Sequence, residues 1–445
     1  MIQRHLLDAL RAALADTPAV FLAGPRQAGK STLAQSLCEG RSGRRYLTLD
    51  DATVLAAARR DPAGFLSGLG GNVVLDEVQR VPELFLALKA TIDREHRAGR
   101  FLLTGSAGVM VVPQAAEALA GRAEFLTLWP FSQGEIEGNR EGFIDASFSD
   151  RFPPDFGELA SRRELCGAIV RGGFPEARAR AAPERRDAWF RSYVSTLLSR
   201  DVRDLATIEG LAELPHLLRL LAERTGGLLN YADVSRSTAL PQSTVKRYMT
   251  LLEGLFLIRR IPPWAGSRTA RLVKAPKIYP VDTGLAAHLV DADTATLAER
   301  PERLGPLLEA FVISEIVKQA GWSRTRPGIH HFRTHTGHEV DIVLEDRRGR
   351  CIAVEVKAAA SIGTGDLKGI EAFATAAGKR FHRGLLLYTG QEAVPFSANL
   401  DALPVSALWR HRERDSTQPL RKPMETVDTH GSPGQKNGAP FKETL

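Results

Sequence analysis

Residues 24–31 are the part of this sequence that most restricts its fold. They read Gly24-Pro-Arg-Gln-Ala-Gly-Lys-Ser31, which matches the phosphate-loop pattern of a glycine, four residues of any kind, and then Gly-Lys followed by Ser or Thr. The pattern is meaningful only between a strand and a helix. Here an apolar run at residues 19–23 precedes it and a segment of helical composition at residues 31–37 follows it. We therefore predict a P-loop domain with an ATP site.

The predicted site comprises the loop and the start of the helix that follows it. Backbone N–H groups of the loop and the positive end of the helix would surround the triphosphate. Lys30 is expected to reach the β and γ phosphates, and the Ser31 hydroxyl is expected to bind Mg²⁺. A glycine-rich turn that arose by chance is the alternative, and the flanking strand and helix disfavour it. The residues predicted to bind ATP are Gly24, Pro25, Arg26, Gln27, Ala28, Gly29, Lys30, Ser31 and Thr32.

A second apolar run brings two acidic residues to the predicted site. Residues 72–75 read Asn-Val-Val-Leu and are followed by Asp76 and Glu77. Because ligands bind beyond the carboxyl ends of parallel strands, both side chains are expected to face the phosphates. We predict that Asp76 helps to hold Mg²⁺ and that Glu77 orients or deprotonates the attacking water. Acidic residues that are merely solvated at a strand end are the alternative interpretation.

Three further residues are candidates for phosphoryl-transfer chemistry. The run at residues 101–104 continues through Gly105 to Ser106, and its strand is predicted to lie between the two motifs. That position would place Thr104 or Ser106 near the γ phosphate. Arg122 is a candidate arginine finger, acting on the nucleotide of its own chain or of a neighbour. An ordinary surface arginine is the alternative.

The amino-terminal part of the chain follows an α/β pattern. Apolar runs at residues 19–23, 45–49, 72–75, 101–104 and 124–128 alternate with segments of helical periodicity. The runs are continuous, which is typical of parallel strands covered by helices on both faces. Residues 139–158 are rich in Asp, Pro, Gly and Ser, and they are predicted to form a boundary or a surface excursion.

Helical periodicity dominates the centre of the chain. Short helices are predicted at residues 217–222, 231–235 and 242–252, with Ser243 as a candidate N-cap of the third, and a wing strand is predicted at residues 256–261. This spacing predicts a winged helix-turn-helix. The candidate DNA contacts on its third helix are Gln242, Thr244, Lys246 and Arg247. A module for protein contacts is the alternative, because the motif defines a shape and not a partner.

The α/β pattern returns after residue 300. A helix is predicted at residues 307–319, strands at 330–333, 339–344 and 351–356, a helix at 367–376 and a strand at 384–387. This order resembles the core of restriction-endonuclease-like domains. Alternation along a strand places Glu355 and Lys357 on one face.

The resemblance extends to a candidate nuclease site. Asp341 and the sequence Glu355-Val-Lys357 match the catalytic signature, and Glu309 stands where some relatives add a carboxylate. In such sites two carboxylates hold Mg²⁺, which activates water, and a lysine assists at the scissile phosphate. A Glu-x-Lys sequence that arose by chance is the alternative, as is a nuclease fold that does not cleave.

Motifs along most of the chain resemble those of one family. They are Gly24-Pro-Arg-Gln-Ala-Gly-Lys-Ser31, Leu75-Asp-Glu-Val-Gln79, Leu103-Thr-Gly-Ser106, Gly121-Arg122, Gly172-Gly-Phe-Pro-Glu176, Arg200-Asp201, Asp282-Thr-Gly-Leu285 and Val354-Glu-Val-Lys357. Over residues 1–410 the chain is similar to bacterial and archaeal ATPases that pair an AAA-like domain, AAA_14, with a C-terminal DUF4143 domain. The resemblance implies ATP binding with hydrolysis, a winged-helix middle and a nuclease-like C-terminal domain.

Charge and cysteine content set wider limits. The net charge of +7 over 445 residues allows contact with nucleic acid but also fits an ordinary solvated surface. The three cysteines lie far apart and predict neither a disulfide framework nor a zinc site. The first 18 residues predict an amphipathic helix rather than a signal peptide, and no apolar run is long enough to span a bilayer. We expect a cytoplasmic protein that does not contact a membrane.

The complete prediction is an α/β fold in five parts. They are an AAA-like P-loop ATPase domain with a parallel sheet (1–138), a helical lid or connector (139–205), a winged helix-turn-helix region (206–300), a restriction-endonuclease-like α/β domain (301–412) and a disordered tail (413–445). Our first hypothesis is a Mg²⁺-dependent ATPase that acts as a nucleotide-driven switch on nucleic acid, with ATP and an unidentified DNA or protein as its partners. The alternatives are an ATP-regulated, metal-dependent DNA nuclease and a nucleotide-gated, protein-binding scaffold without turnover. A homo-oligomer is expected if Arg122 acts in trans.

Overall fold

A five-stranded parallel sheet organises the amino-terminal part of the chain. The computed structural model describes residues 2–38, 43–106, 117–150, 152, 155, 156, 159–201, 211–264, 266 and 275–412. The strands of this sheet are β1 (Ala19–Ala23), β2 (Arg45–Thr48), β3 (Val73–Asp76), β4 (Phe101–Gly105) and β5 (Ala123–Thr127). They are ordered β2-β3-β4-β1-β5, and all neighbours are parallel. The predicted parallel α/β sheet is confirmed.

Helices cover both faces of this sheet, which explains why its strands read as continuous apolar runs. The helices are α1 (Leu6–Asp16), α2 (Lys30–Ser36), α3 (Ala52–Arg60), α4 (Pro62–Gly68) and α5 (Leu84–Arg94). On one face Phe21 packs in a core with Phe85 of α5. On the other face Leu22 packs with Leu10 of α1 and Leu33 of α2. Successive strand residues point to opposite faces, so every residue of β1 is buried.

The described residues among 139–158, which are 139–150, 152, 155 and 156, do not form the surface excursion that was one of the two predictions for this segment, and the other, a domain boundary, stays a prediction. The chain continues from β5 through α6 (Gln133–Glu137) and α7 (Phe143–Ser147), before the short strand β6 (Asp155–Phe156). Phe143, Ile144 and Phe148 are buried in the core that also holds Phe311 and Trp409. The polar residues of this segment concealed these apolar side chains, which anchor it to the C-terminal part of the chain.

The middle of the chain contains the predicted helices and a small antiparallel sheet. The helices are α8 (Arg162–Arg171), α9 (Pro175–Arg178), α10 (Pro183–Thr196), α11 (Leu214–Glu223), α12 (Tyr231–Thr238) and α13 (Gln242–Gly254). After α13, β7 (Ile258–Ile261) pairs with β8 (Lys277–Pro280). The prediction of Ser243 as N-cap was wrong, because α13 begins at Gln242 and its N-cap is Pro241. Ser243 is exposed within the first turn.

A second sheet, of six strands, organises the C-terminal part. Before it lie α14 (Thr283–Leu289), α15 (Thr294–Glu299) and the long helix α16 (Pro301–Ala320). The strands are β9 (Gly328–Arg333), β10 (Glu339–Glu345), β11 (Cys351–Lys357), β12 (Phe381–Tyr388), β13 (Val394–Ser397) and β14 (Leu400–Pro404), in the order β13-β14-β12-β11-β10-β9. The sheet lies between α16 on one face and α17 (Lys368–Ala377) on the other. Finally, β15 (His411–Arg412) pairs with β6.

Two of the quoted motifs meet in space, although 109 residues separate them. Gly172 has φ +63°, and a Cβ there would lie 2.3 Å from Asp282 Oδ1 and 2.8 Å from the backbone nitrogen of Gly284. The neighbouring Gly173 donates its N–H to Asp282 Oδ2 at 2.7 Å. The buried Asp282 also caps α14, where it accepts from Leu285 N–H at 3.0 Å. A Cβ at Gly173 would lie 2.3 Å from the carbonyl oxygen of Phe131, so a close backbone approach requires glycine at both positions.

The predicted disordered tail, residues 413–445, lies outside the described residues. Among the residues that the structure describes, no helix is long and apolar enough to cross a bilayer.

Candidate functional site

The phosphate loop connects β1 to α2 with a backbone that needs both of its glycines. Gly24 has φ +150°, and a Cβ at this position would lie 2.2 Å from the carbonyl oxygen of Leu128. Gly29 has φ +96° and is the N-cap of α2. Residues that carry a side chain rarely adopt such φ angles. The loop therefore ends at the amino terminus of α2, where backbone N–H groups and the helix dipole favour an anion.

Lys30 is folded onto its own loop. It is 4% exposed, and its Nζ donates to the carbonyl oxygens of Gly24 at 3.0 Å and Pro25 at 2.8 Å. Burial lowers the pKa of Lys30 to about 8; Glu77 and Asp76 oppose this shift, and Arg26 adds to it. The Lys30 ammonium can therefore leave these two carbonyl oxygens and bind phosphate oxygens in their place.

The remaining predicted loop residues differ in exposure. Pro25 and Ala28 are buried and shape the loop, whereas Arg26 is half-buried. Gln27 is exposed and lies in the left-handed region with φ +59°. Thr32 is exposed in the first turn of α2.

Asp76 is the centre of a hydrogen-bond cluster at the carboxyl end of β3. Its Oδ1 accepts from Ser31 Oγ at 3.2 Å and from the Thr104 hydroxyl, and its Oδ2 accepts from Tyr46 OH at 2.5 Å. Thr104 reaches Asp76 because β4 lies between β1 and β3, as predicted. Burial and the bond to Asp76 raise the pKa of Tyr46, so the phenol remains a donor. Sequence reasoning missed Tyr46, which lies 30 residues from Asp76 in the chain.

The hydroxyl and carboxylate oxygens of Ser31 and Asp76 suit a magnesium ion. Both lie at the mouth of the phosphate loop, 3.2 Å apart. Mg²⁺ prefers oxygen ligands and is usually bound by one or two protein groups together with substrate phosphates. These two residues therefore fit the ion that the P-loop fold implies.

Glu77 is held beside this cluster in an uncommon conformation. Its φ is +59°, and its N–H donates to Thr104 Oγ1 at 3.3 Å. Its Oε2 accepts from Ser106 Oγ at 3.3 Å and from Gln79 Nε2. A left-handed non-glycine residue costs free energy, and such residues cluster at functional sites. Sequence reasoning missed Gln79, which also donates to Ser106 Oγ at 3.0 Å.

Arg122 does not lie with these residues. It immediately precedes β5, whose first residue pairs with Ala19 at the start of β1, whereas the phosphate loop follows the other end of β1. The five-residue strand separates the two ends by about 13 Å. Arg122 instead donates to both carboxylate oxygens of Asp93. Arg122 therefore lies away from the phosphate loop of its own chain, and an arginine finger stays a prediction.

Two residues outside the motif contact the loop from other parts of the chain. Arg4 donates to Ala28 O at 2.8 Å, to Trp129 O at 2.5 Å and to Glu135 Oε1 at 3.0 Å. Tyr193 of α10 donates to Arg26 O at 3.2 Å. Sequence reasoning missed both, because nothing in their local sequence indicates a partner so far along the chain.

The candidate DNA contacts lie on α13 but do not share one face. Gln242, Lys246 and Arg247 are exposed, and Thr244 is half-buried at the edge of the packed face. Lys246 Nζ lies 5.6 Å from the centre of the Tyr231 ring. At about 100° per residue, Ser243 and Thr250 lie between Lys246 and Arg247 on the exposed side.

The candidate nuclease residues come together around a lysine that sequence reasoning missed. Lys277 Nζ of β8 lies 2.8 Å from Glu309 Oε1, 2.5 Å from Glu339 Oε1 and 3.1 Å from Asp341 Oδ1. Glu355 lies beside Asp341 and accepts from Lys357 Nζ at 2.8 Å. A lysine within the apolar strand Lys277-Ile-Tyr-Pro280 was the available signal, because buried lysines are almost always paired.

These residues do not fit a magnesium ion as they are arranged here. The position between the carboxylates is filled by an ammonium, and the described residues contain no group of three or more carboxylate, imidazole or thiol side chains arranged to hold a metal. One atom, Glu355 Oε2, is buried without a hydrogen-bond partner. Burial raises the pKa of Glu355 to about 8, so this carboxyl carries a proton at neutral pH.

Comparisons with known proteins place the chain in a family. Residues 16–137 match the model of an AAA domain, residues 162–296 a domain of unknown function (DUF8612) and residues 304–408 another domain of unknown function (DUF4143). Uncharacterized proteins of Mycobacterium tuberculosis and Mycobacterium bovis are each 32% identical over 355 residues, which are 80% of this chain and 74% of theirs. The chain belongs to their family. It carries an AAA-type P-loop domain and a DUF4143 domain.

More distant similarities are weaker. An uncharacterized protein of Haemophilus influenzae is 25% identical over 239 residues, 52% of this chain and 55% of that protein. A Walker-type ATPase of Pyrococcus abyssi is 14% identical with a TM-score of 0.40, covering 65% of this chain and 96% of its own. The RuvB Holliday junction branch migration motor of Thermotoga maritima is 19% identical with a TM-score of 0.28, covering 58% and 87%. At these scores neither structure supports a conclusion about this chain.

Proposed function

We propose that this protein is a Mg²⁺-dependent ATPase that acts as a nucleotide-driven switch. The observation that carries the proposal is the group of Ser31, Asp76 and Glu77 at the mouth of the phosphate loop. The loop alone would serve binding. Hydrolysis requires more than binding: it also needs an acidic residue that polarises water and lies beside a pair of metal-binding residues.

Each residue has a separate role in the proposed reaction. Lys30 leaves the carbonyl oxygens of Gly24 and Pro25 and pairs with the β and γ phosphates. Ser31 and Asp76 hold the metal, while Tyr46 and Thr104 keep the Asp76 carboxylate in place. Bound Mg²⁺ supplies charge neutralisation at the phosphate oxygens.

Glu77 is the proposed base. Its carboxylate is held by Ser106 and Gln79, and its pinned backbone limits where that carboxylate can point. Glu77 would orient a water in line with the γ phosphorus and accept its proton. The hydroxyl of Ser106 and the amide of Gln79 donate hydrogen bonds to the Glu77 carboxylate without protonating it, so the carboxylate can still accept a proton from water.

The switch is proposed to act through two side chains from outside the motif that donate hydrogen bonds to carbonyl oxygens of the phosphate loop. Arg4 and Tyr193 bind the carbonyl oxygens of Ala28 and Arg26. A loop that tightens around phosphates would pull on both side chains. Tyr193 lies on α10 in the middle region, so nucleotide binding would reach a part of the chain outside the P-loop domain.

An ATPase assay tests the proposal directly. Phosphate release with Mg²⁺ is expected from the wild type, and Lys30→Ala and Glu77→Gln should each lower it by about 100-fold or more. Glu77→Gln should still bind ATP, because only the base is altered. Lys89→Ala, which changes an exposed lysine of α5, is the matched control and should retain turnover. Equal turnover in the wild type and Glu77→Gln would rule out Glu77 as the base.

DNA is the second candidate, as the partner on which the switch acts. The observation that favours it is the pair of exposed basic side chains on α13, Lys246 and Arg247, with the antiparallel strands β7 and β8 following this helix in the chain. If these side chains contact phosphates, Lys246→Ala and Arg247→Ala should each weaken binding to all sequences and lower the salt slope by about 1. Fluorescence anisotropy with duplex DNA at several salt concentrations measures this. A slope unchanged in both variants would leave a protein partner as the better hypothesis.

A further inference from the structure

Lys277 occupies the centre of the carboxylate cluster in the C-terminal part of the protein. It is 2% exposed, and its Nζ contacts Glu309, Glu339 and Asp341 within 3.1 Å. An ammonium group has three N–H donors and no acceptor. Lys277 donates hydrogen bonds to Glu309 and Asp341 and forms an ion pair with Glu339, so its buried charge is compensated on three sides.

Three oxygens of the cluster that do not contact Lys277 also have partners. Asp341 Oδ2 accepts from Val356 N–H at 3.0 Å, Glu339 Oε2 from Arg333 at 3.2 Å and Glu355 Oε1 from Lys357 at 2.8 Å. Glu309 Oε1, which contacts Lys277, accepts a second hydrogen bond from Tyr279 OH at 2.5 Å. A divalent ion entering here would have to displace the ammonium and replace several of these bonds.

The charges of the cluster are largely balanced without a metal. The carboxylates Glu309, Glu339 and Asp341 face the cations Lys277 and Arg333, and Glu355, whose pKa is raised by burial, pairs with Lys357. Burial raises the pKa of Glu309 to about 7, with Asp341 adding to the shift and Lys277 opposing it. Little negative charge is left over to attract a cation.

The position of Lys277 on β8 allows the cluster to connect the strands β7 and β8 to the C-terminal part of the protein. Lys277 and Tyr279 are two residues apart on β8, so both side chains project from the same face and reach Glu309 of α16. The partner strand β7 carries Arg259, whose guanidinium lies 4.0 Å from the centre of the Trp129 ring. Trp129 closely follows β5 of the P-loop domain. The hairpin β7-β8 is thus fastened to the C-terminal sheet at one side and to the P-loop domain at the other.

We propose that Lys277 is the resident cation of this cluster, that it excludes divalent metal ions, and that the cluster clamps the hairpin β7-β8 to α16 and β10. The carboxylates that resemble a nuclease site then hold the protein together instead of hydrolysing phosphodiesters. This inference does not depend on ATP turnover, which takes place at the phosphate loop.

Mn²⁺ titration of the nucleotide-free protein tests the proposal. Calorimetry should show the same heat for the wild type and for Asp341→Asn, because neither binds Mn²⁺ at this cluster. Lys277→Met keeps the length of the side chain but removes its charge. This variant should have a lower Tm than the wild type, should gain one Mn²⁺ site, and should recover Tm when Mn²⁺ is added. Lys357→Met, which leaves Lys277 in place, is the matched control and should gain no site.

The opposite results would overturn the proposal. Binding of one Mn²⁺ by the wild type that Asp341→Asn removes would show that a metal displaces Lys277. Plasmid nicking by the wild type that Asp341→Asn abolishes would show the same. If Lys277→Met does not fold, the comparison of the wild type with Asp341→Asn still shows whether the wild-type cluster binds Mn²⁺. If Lys277→Met folds and binds no Mn²⁺, the lysine is not what excludes the metal.

Discussion

Raising the pH should weaken ATP binding, because Lys30 loses its charge at an unusually low pH. Burial lowers the pKa of Lys30 from its ordinary value of 10.5 to about 8. Only the charged ammonium pairs strongly with phosphate oxygens. Between about pH 7 and about pH 9 the charged fraction falls from about nine-tenths to about one-tenth, so affinity should fall by about tenfold.

Other groups near the loop should not imitate this effect. Burial raises the pKa of Tyr46, which therefore stays neutral throughout the range. Phosphate groups complete their ionisation at lower pH, with a second pKa of about 6. A pH dependence centred near 8 would therefore belong to Lys30.

Equilibrium titration with a fluorescent ATP analogue, at several pH values and constant ionic strength, measures the effect. Lys30→Met is the control, and it should bind weakly at every pH without a step near 8. Circular dichroism at each pH would show that the fold is retained. An affinity that is constant across the range, or a step of equal size in Lys30→Met, would refute the assignment of the lowered pKa to Lys30.

Two further predictions concern stability. Gly172→Ala should lower the free energy of unfolding by about 3 kcal/mol or more. The new Cβ would clash with Asp282, and alanine is strained at the positive φ of this position. Gly121→Ala, where φ is +72° and nothing lies within 4 Å of the new Cβ, should cost only about 1 kcal/mol, so equal losses in a denaturant titration would contradict the packing argument. Tyr46→Phe should cost about 1.5 to 3 kcal/mol, since it removes a hydrogen bond to the Asp76 carboxylate. An unchanged unfolding midpoint in this variant would show that the bond contributes nothing.

The positions of the phosphate loop and of Asp76 were predictable because they depend on the local sequence. A phosphate loop is one continuous segment, and Asp76 is the last residue of a buried strand, so strand and turn signals were enough. The position of Arg122 in the fold was not predictable in the same way. Its motif is local, but the end of the sheet at which it lies depends on the direction of β5, which starts after Arg122 and runs toward the loop.

The residues that were missed have partners far along the chain. Lys277 lies 64 residues from Asp341, and Arg4 lies 131 residues from Glu135. A single lysine or arginine in a sequence is compatible with many environments, and only the packed fold selects one. The burial of Phe143, Ile144 and Phe148 was missed for a related reason, because composition averages over a segment and does not single out the few apolar side chains that are buried.

The contact between Gly173 and Asp282 has a practical consequence for dissecting this protein. Gly173 also accepts a hydrogen bond from Phe131 N–H, and Lys318 of α16 donates to Phe131 O. Segments from the beginning, the middle and the end of the described chain are therefore joined at one point. A shortened chain that ends at any predicted domain boundary within this range would expose a buried carboxylate or leave backbone groups unpaired. Fragments made for crystallisation or for separate assays should accordingly be cut outside residues 2–412.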